Sequence, residues 1–178
     1  LRNLDRCLEA GLSRCNISVH GWRPENLAQR GGTLKMHTHR QRFIARLLEA
    51  GRPIKVNYVY TGPEVEEDLA ELLQWAADKP LIVGLLDNLS NEDLGPHQME
   101  KVLVRLRGEP ARHLVDEDPH SFSTTHLLWE DGLRVEVKDT QLGQVAPWRS
   151  CAACPERRAC REGVFAVRLT PAGQLRLC

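Results

Sequence analysis

The chain carries no surplus of either charge: its 178 residues hold 24 Lys and Arg against 24 Asp and Glu. That balance excludes a nucleic-acid surface working by bulk positive charge. No apolar window of about eighteen residues occurs, so no segment reads as a membrane-crossing helix. An apolar leader of the secretory kind is missing too, as are low-complexity stretches and any repeat beyond a β/α unit. With no leader and with thiols expected to stay reduced, the expected location is the cytoplasm.

Cysteine is what the chain has in an uneven supply. Four of its six cysteines fall in the last stretch, as Cys151-Ala-Ala-Cys154, Cys160 and Cys178. Two thiolates three residues apart can bind one metal centre from a single turn. Between Gly163 and Cys178 the residues alternate, turn at Thr170-Pro171-Ala172-Gly173 and alternate again, so a hairpin would carry Cys178 back toward that turn. The spacing predicts a four-sulfur site of the kind zinc or an iron–sulfur cluster requires, and leaves the metal open. Disulfides fit less well, because they belong to small secreted scaffolds and this chain is long enough to bury a core without them. Cys7 and Cys15 match no ligand spacing and read as packing residues.

Helix and strand alternate through the first half. Leu1, Leu4 and Leu8 mark a helix stopped at Gly11, and 15–21 read as a short strand. A polar loop through Gly31-Gly32 leads to an amphipathic helix with Phe43, Ile44, Leu47 and Leu48, closed by Gly51 and Pro53. Residues 54–60 form the next strand, 64–77 a helix with acids at its start, and 81–86 an apolar strand of the type covered by helices on both faces. A further helix spans about 97–106. Such strand–helix–strand units imply a parallel sheet with right-handed crossovers. The second half changes character, with a hairpin over 126–137 turning at Asp131-Gly132. The expected fold is α/β: the carboxyl-terminal part of a partial (β/α) barrel over 1–110, followed by a small β-hairpin, metal-binding appendage over 111–178.

The segment Ala10-Gly11-Leu12-Ser13-Arg14-Cys15-Asn16-Ile17-Ser18-Val19 resembles a strand of the GTP cyclases that open molybdenum-cofactor synthesis, which are radical S-adenosylmethionine enzymes. Ala50-Gly51 with Ile54-Lys55-Val56-Asn57 and Thr61-Gly62 is similar to a second segment of that family. The stretch from Arg168 to Cys178 is similar to its carboxyl-terminal hairpin, downstream of a Cys-x-x-Cys. The likeness runs in order over nearly the whole chain. It implies that Ser18 contacts S-adenosylmethionine, that Leu89 stands where a methionine lies near the adenosine, and that Lys55 reaches the substrate phosphates. Arg168 matches one of two arginines after the cluster ligands, and Asp87 matches a glutamate that could hold a substrate group. Cys151, Cys154 and Cys178 match the ligands of an auxiliary 4Fe–4S cluster in a tail of the twitch or SPASM kind. A small-molecule or peptide substrate and a reductant such as flavodoxin or ferredoxin are implied with it.

Departures narrow what the resemblance implies. The first arginine of the family's pair is Ala166 here, which weakens GTP as the substrate. An insertion over 155–164 adds Cys160, and this arrangement resembles the auxiliary clusters of radical enzymes that modify peptides or antibiotic precursors. A fourth cysteine could ligate the cluster fully and leave it to electron transfer or support. No Cys-x-x-x-Cys-x-x-Cys is present. The loop that holds the S-adenosylmethionine-cleaving 4Fe–4S cluster is therefore expected upstream of Leu1, with the chain a fragment of a longer protein and truncation expected at the far end as well.

The remaining polar residues receive plainer readings. His37 and His39 are placed in a solvated loop with no third ligand. His20 could hydrogen-bond near the nucleoside. Tyr58 and Tyr60 are packing residues, and Arg157-Arg158 a solvated loop. Set against the radical enzyme stands a second reading from another class, a non-catalytic, zinc-binding α/β interaction module.

Overall fold

A computed structural model describes residues 2–87, 96–116, 123–139, 168–169 and 172–176 of the chain. Its first elements are α1 (Arg2–Glu9), β1 (Cys15–Val19), α2 (Pro24–Gln29) and α3 (Leu34–Glu49). There follow β2 (Ile54–Tyr60), a short 3-10 turn (Pro63–Val65), α4 (Glu66–Ala76), β3 (Leu81–Asp87) and α5 (Pro96–Arg107). Three antiparallel strands, β4 (Arg112–Asp116), β5 (Ser123–Leu128) and β6 (Arg134–Asp139), come next. A two-residue ladder of β7 (Arg168–Leu169) with β8 (Leu175–Arg176) lies in the tail.

One six-stranded sheet runs in the order β1-β2-β3-β6-β5-β4. Strands β1, β2, β3 and β6 are parallel, β5 runs antiparallel to β6, and β4, antiparallel to β5, points the same way as the parallel set. Because β6 pairs with β3, the sheet is continuous from the β/α half into the later hairpin. Strand β2 shows why the sheet has two unlike faces. Its residues alternate between buried and half-buried along IKVNYVY, with Ile54, Val56, Tyr58 and Tyr60 on the buried side. Period-two alternation sends successive side chains to opposite faces. Those four join one core with Ile44 and Leu47 of α3, Leu69, Leu72 and Leu73 of α4, and Met99 and Leu103 of α5. Val83, Leu85, Val135, Val137 and Leu127 continue the same layer across β3, β6 and β5.

Local signals agree with this arrangement. Thr33 caps α3 by accepting the Met36 N–H at 3.2 Å, and Gly51 closes it at φ 62°. Three acids, Glu66, Glu67 and Asp68, open α4 at its positive dipole end. Gly132 turns the β5–β6 hairpin at φ 88°.

Four expectations need correction. The apolar strand expected over 81–86 is flanked by helices on one face only among the described residues, since α1, α3, α4 and α5 feed a single core layer. His37 and His39 lie on α3 rather than in a loop, because Thr33 starts the helix before them. Two short elements, α2 and β4, were not legible in the sequence. Cys7 is exposed on α1, outside the core cluster, whereas Cys15 is half-buried against the core as expected.

Candidate functional site on the uncovered face of the sheet

The side of the sheet away from the helices is polar. Register places Ser18 beside Asn57, Asn57 beside Gly84, Gly84 beside Glu136, and Glu136 beside His126. This row crosses five strands and draws on residues 118 positions apart at its extremes, from Ser18 to Glu136. Two residues toward the strand starts, Asn16, Lys55 and Ile82 form the neighbouring row on the same face.

Lys55 ties the two rows together. From the second position of β2 its side chain crosses β3 and ion-pairs through Nζ with Glu136 Oε2 on β6. Two strand spacings amount to about 10 Å, within reach of an extended lysine only if nothing stands between. Gly84 supplies that clearance: a Cβ there would lie 2.5 Å from Lys55 Cε and 2.5 Å from Asn57 Oδ1. Both partners of the ion pair are largely shielded, at 15% and 17% side-chain exposure. Such a pair holds only while intact, because either charge left alone would be buried without compensation. The second carboxylate oxygen, Oε1, lies 3.5 Å from His126 Nδ1. Asn57 Oδ1 is buried and accepts no hydrogen bond from the described residues. A recess of about 310 Å³ opens on this face, lined by Ile82, Leu114, His126, Leu128, Arg134 and Glu136 among others.

Behind the sheet, the loop that leaves β1 is held by a carboxylate the sequence did not reveal. Asp68 is fully buried. It accepts the backbone N–H groups of Trp22 at 2.7 Å and Arg23 at 2.6 Å, and the Tyr58 hydroxyl at 2.8 Å. Burial, reinforced by the Asp68 charge, pushes the Tyr58 hydroxyl far above the usual tyrosine range. Arg40 lies over the Trp22 ring, 5.5 Å from its centroid, and donates to the carbonyls of Gly21 and Trp22 at 2.6 and 2.7 Å. Burial lowers the Arg40 pKa, partly offset by Asp68. Gly21 permits the close approach of this loop to α2, since a Cβ there would meet the Leu27 backbone nitrogen at 2.5 Å. A sequence reader sees Asp68 as one of three acids complementing a helix dipole. That it is the buried one follows only from its place opposite Tyr58.

The residues expected to form a site are distributed unevenly. Ser18 is exposed on the uncovered face and shares its row with Asn57. Lys55 is on the same face, bound to Glu136. Asp87 ends β3 in register with Tyr60, and Arg168 stands in β7 opposite Arg176. Leu89, Cys151, Cys154, Cys160 and Cys178 lie outside the described residues. Among the described residues no group of His, Cys, Asp and Glu is arranged to hold a metal ion. No helix among them is long and apolar enough to cross a membrane. Glu136, His126, Asn57 and Gly84 are the residues that sequence reasoning did not select. Asn57 was within reach, since it follows Lys55 by two and alternation puts both on one face.

With this geometry in place, comparison with known proteins adds one relative. The chain is 25% identical over 175 residues to GTP 3',8-cyclase of Hydrogenovibrio crunogenus, taking in 90% of this chain and 50% of that protein. The match supports a distant relationship. The chain thus spans half the length of the curated relative it matches. No family model matches the chain, and no solved structure does.

Proposed function

We propose that this chain is part of a radical S-adenosylmethionine enzyme and that the uncovered face of its sheet is the wall that holds cofactor and substrate. The observation carrying the proposal is a coincidence of two independent facts. The ordered likeness to GTP 3',8-cyclase covers 90% of the chain, and Ser18 and Lys55 of the resembling segments fall on the one face left uncovered by helices among the described residues. In barrels of β/α units, ligands gather at the carboxyl ends of the strands, and Ser18 is the fourth of the five residues of β1.

The residues present fit a polar ligand on that face. Asn57 Oδ1 is an orphaned buried acceptor, and Gly84 leaves the room a side chain would fill. In this reading Ser18 binds S-adenosylmethionine with Leu89 near the adenosine, and Lys55, Asp87 and Arg168 serve the substrate, a small molecule or peptide. Cys151, Cys154, Cys160 and Cys178 hold an auxiliary 4Fe–4S cluster, thiolate ligation being what such clusters require. The cluster that acts on S-adenosylmethionine is held outside these residues, with flavodoxin or ferredoxin as reductant in the cytoplasm. The cofactor supplies radical chemistry, while this chain's residues bind, orient and shield the substrate.

Anaerobic reconstitution of the full-length protein tests this. The expected result is a visible thiolate–iron absorption that weakens in Cys151→Ser with Cys154→Ser, and 5′-deoxyadenosine formed from S-adenosylmethionine under reductant. Tight zinc in the tail with no such absorption, and no cleavage, would instead identify a zinc-binding interaction module.

A further inference from the structure

Building on that functional reading, we infer that Glu136 is a specificity-determining residue. It withdraws Lys55 from anion binding, so that the substrate is held on this row through its own N–H or O–H donors rather than through phosphates.

Three observations carry this. First, the Lys55 ammonium is already committed: its stem crosses β3 over Gly84 to reach Glu136, and both side chains are mostly out of solvent. A phosphate would have to take the lysine from a carboxylate that is then stranded beside it, and placing two like charges at one shielded site is unfavourable. Secondly, what the row presents beside that pair is acceptor-rich. Among the described residues, Glu136 Oε1 faces His126 Nδ1, at 3.5 Å, and Asn57 Oδ1 is buried with no donor. A buried acceptor without a donor is unfavourable, and a ligand N–H is the group that would satisfy it. Thirdly, the flexible four-carbon stem of Lys55 lies over Gly84 next to that oxygen, so it is the part able to move aside. Arg112 and Arg134 also stand on this face, both exposed and one row toward the start of β6, and Lys138 stands one row toward its end. An anion attracted to them would sit off the Ser18–Asn57–Glu136 row.

The test uses the full-length protein with GTP and inorganic triphosphate as probes in titration calorimetry. Wild type is expected to bind both probes weakly, its lysine being held by Glu136. Glu136→Gln, nearly isosteric, is expected to free the lysine and tighten triphosphate binding by about tenfold or more, the worth of one charge-assisted hydrogen bond. That gain should vanish in the double variant Glu136→Gln with Lys55→Met, with thermal melts confirming that each variant folds. Triphosphate binding by wild type that Lys55→Met weakens tenfold overturns the inference, as does a folded Glu136→Gln with no gain. Formation of 5′-deoxyadenosine in the same preparations reports separately on the radical-enzyme reading, so its failure is told apart from failure at Glu136.

Discussion

The two faces of the six-stranded sheet are made by the same strands and differ in almost everything else. On one, Ile54, Val56, Tyr58, Val83, Leu85 and Val137 are nearly inaccessible and pack against α3, α4 and α5. On the other, Ser18, Lys55, Asn57, Glu136 and His126 follow one another across the strands, with Gly84 as the gap that lets them meet. Apolar packing is concentrated on the first face and polar groups on the second. The reason is period two: each strand contributes to both layers with alternate residues, so one layer can vary in polarity while the other keeps the fold.

The sharpest way to expose this division is to cut into the covered face. Leu72 on α4 is completely buried. Leu72→Ala is expected to destabilise by about 3 kcal/mol, the typical sum of lost transfer energy and residual cavity for a buried leucine. Denaturant unfolding measures it; a change below about 1 kcal/mol would mean that α4 does not pack as described.

Gly84→Ala probes the open face through sterics. The added methyl would meet Lys55 Cε and Asn57 Oδ1. Destabilisation of about 1–2 kcal/mol is expected, smaller than for Leu72 because a lysine stem yields more easily than packed core. The pairing of Lys55 with Glu136 should be lost along with it, visible as a shift of the Glu136 carboxyl resonance. A substitution without effect on either would remove the reason for a glycine at this position.

Tyr58→Phe, on the covered face, separates the hydroxyl from the ring. The bond to Asp68 is worth about 1 kcal/mol net at neutral pH. Its pH dependence is more telling. Because burial raises the folded-state pKa of Tyr58, its contribution is fully present below the unfolded tyrosine value near about 10. Above that value it is lost progressively, as the unfolded chain releases a proton the folded chain keeps. Tyr60, whose pKa burial also raises, adds a parallel loss. Melting temperature should therefore be level from pH 7 to 9 and fall beyond it, with a shallower fall in Tyr58→Phe. Equal slopes in the two proteins would contradict the buried Tyr58–Asp68 bond.

What could be read in advance follows the same division. The covered face was legible because its signal is periodic: alternation in 54–60, an apolar run in 81–86, and helical spacing at Ile44 and Leu47. The Asp131-Gly132 turn was legible because glycine there needs positive φ. Strand β4 was not, since its five residues are all exposed and carry no alternation of burial. On the open face Ser18 and Lys55 came from likeness to a known family. Glu136 and His126 came from nothing local, because only the parallel pairing of β3 with β6 brings residue 136 beside residue 84. The orphaned Asn57 oxygen and the clearance at Gly84 are likewise properties of three strands together.

The central claim is that ligands are held on the open face, and matched variants from the two faces test it most directly. Ser18→Leu, on the open face, and Leu69→Val, in the core, are compared for S-adenosylmethionine affinity in the reconstituted full-length protein, after melts have shown both to be folded. The account predicts a loss of about tenfold or more for Ser18→Leu, the value of a hydrogen bond exchanged for a steric block, with Leu69→Val unchanged. Unchanged affinity in Ser18→Leu, or an equal loss in both variants, would contradict it.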